Sequence, residues 1–331
     1  MITMPPILTN TCDTSGSSNW ATTISAVTAR KVPRQNICSE CSPHLRIGSK
    51  TGHFRNRAFG RTARRTSQAK AMKMKKDALG DRMKENYERR TQTMLPRRTY
   101  TIVRVDGKAF HTFTRGCAKP YDEKLMAAMD ATALFLCENL QGAKLGYVQS
   151  DEVSVLLTDF DKITTDAFFD GEVQKIVSVA ASFATVAFNR AYGSDSACFD
   201  ARCFTIPDPV EVANYFVWRQ QDATRNSIQM AAQAKFPQKQ LHGKNTDEMQ
   251  EMLWSEYGIN WSDYPGGCKR GRCIWPNTVI APVEYLDRRS GETRQALEVE
   301  RRIWIVEAPP VFTVDSMWLS KRIPLMENWR S

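Results

Sequence analysis

The order of hydrophobic patterns between residues 99 and 206 constrains the fold more than any other feature of this sequence. Residues 99–105 alternate apolar and polar side chains and are rich in β-branched types, which predicts a strand. A helical repeat follows over residues 122–139. Residues 144–149 and 153–157 alternate again, and the short polar break between them predicts a β-hairpin.

A second helix and a fourth strand complete this series. Residues 171–192 show a helical pattern with several alanines suited to packing on a sheet, and residues 201–206 form a strand pattern. The resulting β-α-β-β-α-β order is that of the ferredoxin-like α+β fold. We therefore expect an antiparallel sheet with both helices on one face and with the other face free for a ligand.

The C-terminal part, residues 208–331, is predicted to add helices and a β-hairpin to a catalytic unit formed by residues 72–207. Asp208-Pro209 is a helix start with a capping carboxylate, and that helix either continues to residue 236 or restarts near residue 223. The remaining predictions are a helix at residues 246–257, a basic turn at residues 268–273, and strands at residues 279–285 and 301–306.

Residues 1–71 form a basic leader that is rich in Ser and Arg and has no apolar periodicity, which predicts disorder. Residues 1–70 hold eleven Lys or Arg against Asp13 and Glu40, so nine of the ten net positive charges of the chain lie there. Three interpretations stay open: a start codon assigned too early, a transit peptide, or a basic arm that holds RNA. A chain that begins at Met72 is expected to fold and to be active.

The cysteines indicate the compartment. All nine are scattered and follow no secretory signal, which favours a cytoplasmic protein, or a mitochondrial one if the leader is a transit peptide. Cys38 and Cys41 form a CxxC with His44 and His53 downstream, which leaves a zinc site open on weak grounds. The sequence has no run of about 18 apolar residues, so no membrane association is predicted.

Two acidic residues lie at points where a site is expected. Asp106 ends the first predicted strand and is followed by Gly107, and Asp151 lies in the hairpin break. In a ferredoxin-like sheet these positions meet at one edge. Paired carboxylates suit Mg²⁺, and two such ions about 3.5–4 Å apart can activate a hydroxyl and neutralise a leaving pyrophosphate. The alternative interpretation is a strand-end turn and an acidic hairpin tip, both facing solvent.

Basic side chains cluster around the same positions. Phosphoryl transfer depends mostly on positioning and on cations that stabilise phosphate charge. The candidates are Arg104, Lys108, His111, Arg115 and Lys119, although each taken alone is equally compatible with a solvated surface residue. The sequence contains no Walker loop and no GxGxxG after a strand, which excludes ordinary P-loop and dinucleotide-binding proteins.

Six short segments occur in a specific order. They are RVDGKAFH at 104–111, AKP at 118–120, GYVQSDE at 146–152, YFVWRQ at 215–220, WSEYGIN at 254–260 and RG at 270–271. In order and spacing they resemble the motifs of the tRNA(His) guanylyltransferase family. The resemblance extends over roughly residues 74–318, and the pairing of the DG strand with the QSDE hairpin is its most specific part.

This resemblance implies a polymerase-like palm that adds nucleotides to a tRNA 5′ end in the 3′-to-5′ direction. ATP or GTP activates a 5′ monophosphate, and the 3′-hydroxyl of incoming GTP or another triphosphate attacks that end. Two Mg²⁺ ions are held by Asp106, Asp151 and the Gly107 carbonyl, while Arg104 and Lys119 serve phosphate binding or activation. The implied nucleotide contacts are Asp106, Gly107, Lys108, Ala109, Phe110, His111, Ser150, Asp151 and Asn226. The implied partners are tRNA, nucleoside triphosphates and further copies of the chain in a homotetramer.

The sequence departs from the family pattern after the WRQ segment. Eukaryotic members carry a HINN motif, whereas this chain has Thr224 in the histidine position and keeps Asn226. A lysine of a later helix is replaced by Met249. This form resembles the guanylyltransferase-like branch, whose members copy the opposite strand during 5′-end repair. We therefore expect templated repair, with dedicated untemplated addition of G to tRNA(His) as the alternative.

Two other functions remain as less favoured alternatives. A nucleotide cyclase also uses a palm with two acids, but cyclase signatures do not match the WRQ and SEYGIN segments. A non-catalytic RNA-binding protein could keep the same fold. A non-catalytic protein is not favoured, because the chain keeps four of the candidate site residues, Asp106, Asp151, Ser150 and Lys119.

Overall fold

The alternating segments form one antiparallel sheet in the computed structural model, which describes residues 78–287 and 289–326. Its strands are β1 (Tyr100–Gly107), β2 (Ala143–Gln149), β3 (Glu152–Leu157), β4 (Phe199–Ile206), β5 (Arg272–Leu286) and β6 (Thr293–Glu307). The order across the sheet is β4-β1-β3-β2-β5-β6, and every neighbouring pair is antiparallel. The predicted ferredoxin-like α+β arrangement is confirmed, and two C-terminal strands extend its sheet. The leader and its CxxC lie outside the described residues.

The helical repeats form helices close to their predicted bounds. The α-helices of the described residues are α1 (Ala78–Met83), α2 (Phe110–Phe113), α3 (Glu123–Asn139), α4 (Val173–Tyr192), α5 (Pro209–Gln233), α6 (Gln238–Leu241), α7 (Thr246–Tyr257), α8 (Gly266–Arg270) and α9 (Ser316–Ser320). The helix after Asp208 does not restart, because α5 runs without a break through residue 223. None of the helices in the described ranges is long and apolar enough to cross a bilayer.

Local side-chain hydrogen bonds fix where the long helices begin. The Asp122 carboxylate accepts a hydrogen bond from the Leu125 backbone N–H at the start of α3. Asp208 caps α5, whose first residue is Pro209, as the sequence predicts. Such caps satisfy backbone N–H groups that have no partner within the helix. They set the bounds of α3 and α5, which carry much of the candidate site.

One face of the sheet is sealed by α3 and α4. Val103 and Val105 of β1 point to this face and are fully buried. Phe188 of α4 is also fully buried, with its ring 5.3 Å from Phe110 and 5.4 Å from Phe199. This aromatic cluster packs the loop after β1 against the helices. The main core of the molecule therefore lies directly behind Asp106 and Gly107.

The opposite face of the sheet is not free along its whole length, which corrects the sequence-based expectation. The N-terminal half of α5 packs on it, so that Phe216 is buried against Tyr147 at a ring distance of 6.4 Å. Phe312, from the segment after β6, contacts Tyr147 from the other side at 6.2 Å. Ile102 and other apolar strand residues are buried in the same cluster. A ligand can therefore reach only the part of this face that lies beyond α5.

The C-terminal hairpin is longer than predicted. β5 begins at Arg272, and Cys273 and Ile274 pair with β2, so the basic segment 268–273 is not one turn. It is divided between α8 and β5 by Gly271, which has a φ of 74°. A Cβ at that position would lie 2.6 Å from the Val148 carbonyl oxygen, so glycine is required where β5 approaches β2.

Candidate active site

Asp106 and Asp151 meet where β1 ends beside the β2–β3 hairpin. The hairpin turn consists of only Ser150 and Asp151, and the register pairs Asp106 with Glu152. The Gly107 N–H donates a hydrogen bond of 3.1 Å to the Asp151 carbonyl, which ties the two segments together. Ser150 takes a left-handed φ of 46°, consistent with a tight two-residue turn. The structure therefore brings the two predicted acids together.

The pKa values of both carboxylates are raised above the ordinary value for an aspartate. Burial, together with the negative charge of Asp106, raises the pKa of Asp151 to about 6. Burial and the carboxylate of Asp200 raise the pKa of Asp106, although Arg202 and Arg104 oppose that shift. Two acids that destabilise each other's charge are suited to binding a cation.

The residues present fit Mg²⁺ with an incomplete protein coordination shell. In residues 78–287 and 289–326, no group of three or more His, Cys, Asp or Glu side chains is arranged to hold a metal. Asp106, Asp151 and the Gly107 carbonyl would supply oxygen ligands and leave positions for water and phosphate oxygens, which Mg²⁺ prefers. Glu152 lies in the same row, but its carboxylate is bound by Arg219 at 2.9 Å.

The requirement for glycine at position 107 has a packing reason that sequence alone does not give. A Cβ there would lie 2.3 Å from the Phe110 ring. Phe110 is 4% exposed and packs with Phe113, Phe188 and Phe199, so its side chain does not face the acids. Its predicted nucleotide contact is thus restricted to the backbone. Ala109, with a φ of 57°, makes the sharp bend between strand and helix.

The predicted basic residues surround the acids at different depths. Arg104 is half-buried on the α5 side of β1, and no salt bridge or hydrogen bond of its side chain occurs in the described part of the chain. Lys108, His111, Arg115 and Lys119 are all exposed on the loop between β1 and α3. Only Arg104 is therefore placed on the sheet itself, two residues from Asp106.

A second arginine joins Arg104, and the sequence analysis missed it. The register pairs Arg104 directly with Arg202 of β4, and it pairs Asp106 with Asp200. Arg202 has only a long ion pair of 3.6 Å with Asp200. Like charges directly opposite each other in a sheet are destabilising, so this arginine couple favours an anionic ligand. The sequence contains Arg104-Val-Asp106 in β1 and Asp200-Ala-Arg202 in β4. Because the two strands are antiparallel, these segments place arginine opposite arginine, and this pattern could have revealed the pair.

A cavity opens beside the hairpin turn. Gln149 and Arg272 in its wall are largely buried, at 5% and 8% exposure, yet the Gln149 Oε1 and an Arg272 guanidinium nitrogen have no hydrogen-bond partner. Buried polar atoms normally find partners, so these atoms favour a polar ligand in the cavity. The other lining residues include Tyr121, Asp122, Ser150, Ala223, Asn226, Ser227, Met230 and Cys268. The predicted contacts Ser150 and Asn226 thus share one cavity.

A charged network links this hairpin to α5. Arg219 is 6% exposed and donates two hydrogen bonds of 2.9 Å to the Glu152 carboxylate. It donates a third, of 2.8 Å, to Asp222, which also accepts a bond of 3.4 Å from Asn226. The network therefore fixes the position of α5 relative to the turn between β2 and β3. No local sequence pattern indicates this network, because Glu152 and Arg219 belong to distant segments.

Thr224 does not line that cavity. Its hydroxyl donates to the Gln220 carbonyl at 3.0 Å within α5, and it faces a separate groove with Arg225, Thr246 and Val311. Thr224 and Asn226 therefore line different cavities, although they are two residues apart in α5.

Comparison with known proteins agrees with the resemblance. The family model for tRNAHis guanylyltransferase matches residues 80–207. Structures of a bacterial tRNA(His) guanylyltransferase (Thg1)-like protein in complex with ATP and with GTP are 42% and 41% identical, with TM-scores of 0.64 and 0.62; each match covers 75% of this chain and 100% of the other. A probable tRNA(His) guanylyltransferase of Dictyostelium discoideum is 27% identical over 61% of this chain and 83% of that protein. The chain belongs to the tRNAHis guanylyltransferase family of nucleotidyltransferases.

Proposed function

We propose that this nucleotidyltransferase adds nucleotides to the 5′ end of tRNA in the 3′-to-5′ direction. The observation that carries the proposal is the position of Asp106 and Asp151 at one end of the sheet, beside the couple Arg104 and Arg202. An acidic pair that binds cations next to a basic pair that binds anions is the combination that phosphoryl transfer needs. Family membership supplies the substrate class.

The nucleoside triphosphate is proposed to lie in the cavity beside Ser150. Its base would satisfy the free polar atoms of Gln149 and Arg272, and its triphosphate would extend toward Asp106 and Asp151. The bacterial relatives were solved with ATP and with GTP, which supports both purine nucleotides as substrates. Lys108 and Lys119, exposed on the adjacent loop, would neutralise phosphate oxygens.

Asp106, Asp151 and the Gly107 carbonyl are proposed to hold two Mg²⁺ ions. Bound there, the metal ions would reduce the electrostatic repulsion between the attacking oxygen and the phosphate, and they would stabilise the negative charge of the leaving phosphates. The chain's own groups position the reactants. Arg104 and Arg202 bind the phosphate of the 5′ end, and the Glu152–Arg219 bridge keeps the acidic turn aligned with α5. Activation of a 5′ monophosphate and attack by a 3′-hydroxyl then use the same acids.

We further propose that the added base is selected by the opposite strand. This chain is 42% identical to the bacterial guanylyltransferase-like protein but 27% identical to the Dictyostelium guanylyltransferase. That difference supports the guanylyltransferase-like branch, which Thr224 also indicates. Dedicated untemplated addition of G to tRNA(His) is the alternative.

The test is an extension assay on labelled tRNA that lacks its first nucleotide, with each of the four triphosphates supplied separately. Changing the opposing base at position 72 from C to G should change the added nucleotide from G to C. Insertion of G alone on every template would contradict templating and favour dedicated guanylylation. Asp151→Ala protein is the control for contaminating activity.

Two arms of the same assay address the rival functions. Incubation with GTP and Mg²⁺ but without RNA would yield a cyclic product only from a cyclase. Binding of tRNA without any incorporation would indicate a non-catalytic RNA-binding protein. The homotetramer and the cytoplasmic location, or a mitochondrial one with residues 1–70 as a transit peptide, stay predictions from the sequence and the family.

A further inference from the structure

On the α5 side of the sheet, the half-buried Arg104 of β1 and the exposed Arg202 of β4 form an accessible strip. Tyr215 closes its upper end, because the Tyr215 hydroxyl lies 2.7 Å from the Ser154 hydroxyl and its ring lies 5.7 Å from Phe204. Ser154 is the register partner of Arg104, so the couple Arg104 and Arg202 lies in the row that Tyr215 reaches, followed by Asp106 and Asp200. We call this the arginine trough: the floor is Arg104 and Arg202, and it leads directly to Asp106.

Trp218 adjoins Tyr215, the residue that closes the arginine trough. It lies one helical turn after Tyr215 on the same flank of α5, with the two rings 5.9 Å apart. Its indole is 49% exposed, an unusual state for a residue so close to the sheet. The Arg219 guanidinium packs on the indole ring at 4.3 Å and is itself fixed by Glu152. Trp218 is therefore half open to a ligand but held in place by a buried group.

An exposed tryptophan alone would carry no functional meaning, and Trp254 provides the comparison. Trp254 of α7 is 59% exposed, but it lines a groove together with Asp247 and Glu251. That acidic setting would repel a nucleic acid. Trp218 instead packs on Arg219 and lies beside Tyr215, whose hydroxyl reaches the sheet row of Arg104 and Arg202. Cations that follow a phosphate backbone and an aromatic face that stacks a base are the two elements of single-stranded nucleic-acid binding.

The position of the arginine trough favours the RNA end over the free nucleotide. The cavity with the free polar atoms of Gln149 lies further along α5, at Ala223 and Asn226. The trough lies nearer the N-terminal half of α5, so two different molecules can reach Asp106 by two routes. A transfer reaction between a triphosphate and an RNA end requires two such routes.

We propose that Trp218 stacks on the terminal base at the acceptor end of the RNA, while Arg104 and Arg202 hold the adjacent 5′ phosphate. This inference rests on the proposed function for its substrate, tRNA. It adds a stacking platform that positions the RNA end before any nucleotide is bound. Phenylalanine should replace tryptophan in this role, because base stacking requires only an aromatic face.

The experiment measures equilibrium binding of tRNA that lacks its first nucleotide, without triphosphate, so that no chemistry occurs. Trp218→Ala should weaken binding about tenfold, the size expected for loss of one stacked base. Trp218→Phe should stay within about threefold of wild type, since a smaller ring still stacks. Trp254→Ala, the matched exposed tryptophan, should bind as wild type. In parallel, RNA should quench indole fluorescence in the wild-type protein and quench it less in Trp218→Phe.

Equal binding by wild type and Trp218→Ala would overturn the proposal, and so would equal weakening by Trp218→Ala and Trp254→Ala. If Trp218→Ala fails to fold, as judged by circular dichroism, the fluorescence comparison with Trp218→Phe decides: unchanged quenching overturns the proposal. The proposed function fails differently. If the wild-type protein binds RNA through Trp218 but incorporates no nucleotide, the stacking role of Trp218 is supported and the proposed enzymatic function is contradicted.

Discussion

The two faces of the central sheet use the same strands for opposite purposes. On the α3–α4 side, Val103 and Val105 are fully buried in the cluster that the helices form with the strands. On the α5 side, Ile102 is buried, but Arg104 and Asp106, two and four residues further along the same strand, are only half-buried and face like charges on β4. One side of β1 is a core, and the other changes from core to site within five residues.

This difference indicates that β1 contributes to stability through the side chains on one face and to activity through those on the other. Burial of apolar side chains stabilises the sealed face. On the open face, paired like charges oppose folding until a ligand neutralises them. Substitutions on the sealed face should therefore lower the free energy of unfolding, whereas those on the open face should lower activity and leave stability unchanged or higher.

The largest effect is expected from the two acids that we propose to bind metal. Asp106→Ala or Asp151→Ala should lower nucleotide addition about a thousandfold or more, because a principal element of phosphoryl transfer is lost. Neither change should lower the melting temperature, since both side chains lie on the open face. Asp247→Ala, on the exposed surface of α7, is the control and should keep wild-type activity. A variant that keeps more than a few per cent of activity would refute the two-acid site.

For substitutions on the sealed face, we expect a loss of stability. Phe188→Ala should lower the free energy of unfolding by about 3–5 kcal/mol, because it removes a fully buried ring from the aromatic cluster. Phe169→Ala, at a position that is 41% exposed, should cost less than about 1 kcal/mol. Denaturant titration measures both. Equal losses would mean that the α3–α4 face is not the main core.

Gly107 lies where the two faces meet, so its substitution should affect both properties. Gly107→Ala should destabilise by about 1–3 kcal/mol, since the new methyl group would lie 2.3 Å from the Phe110 ring. It should also lower activity by displacing Asp106. Gly116→Ala, where no atom lies within 4 Å of the new methyl group, is the matched control. Unfolding curves that coincide for the two variants would contradict this packing argument.

The smallest effect is a gain of stability on the open face. Folding raises the pKa of Asp151 to about 6, so the native state binds this proton more tightly and the charged form opposes folding. Stability of the metal-free protein should therefore rise as the pH falls from 7 toward 4. Asp151→Asn should be more stable than wild type at pH 7 by about 1–3 kcal/mol.

This gain should vanish near pH 4, where wild-type Asp151 is protonated. Exposed Asp195→Asn is the control and should show no pH-dependent difference. Melting curves in a chelating buffer test the prediction. A destabilised Asp151→Asn protein at pH 7 would mean that Asp151 is already compensated by groups of the fold.

Local sequence patterns predicted the sheet and the acids because both depend on short-range periodicity. Strand alternation placed Asp106 and Asp151 at adjacent ends, and the helix caps at Asp122 and Asp208 were visible as residue types. Contacts between distant segments could not be predicted in this way. Arg219 meets Glu152 only because α5 crosses the sheet, and Arg272 reaches the cavity only because β5 pairs with β2. Coverage of the second sheet face by α5 and Phe312 was missed for the same reason.

The two-residue turn Ser150–Asp151 has a consequence for how this protein can vary. Surface hairpin loops usually accept insertions. Here one extra residue must either lift Asp151 from its backbone bond with Gly107 or shift β3 by one position. Such a shift would move Glu152 and Ser154 to the sealed face and bring valines to the site, since side chains alternate with period two. The length of this loop is therefore as restricted as the identity of Asp151, and a relative with a gap or insertion here is expected to have lost catalysis while keeping its fold.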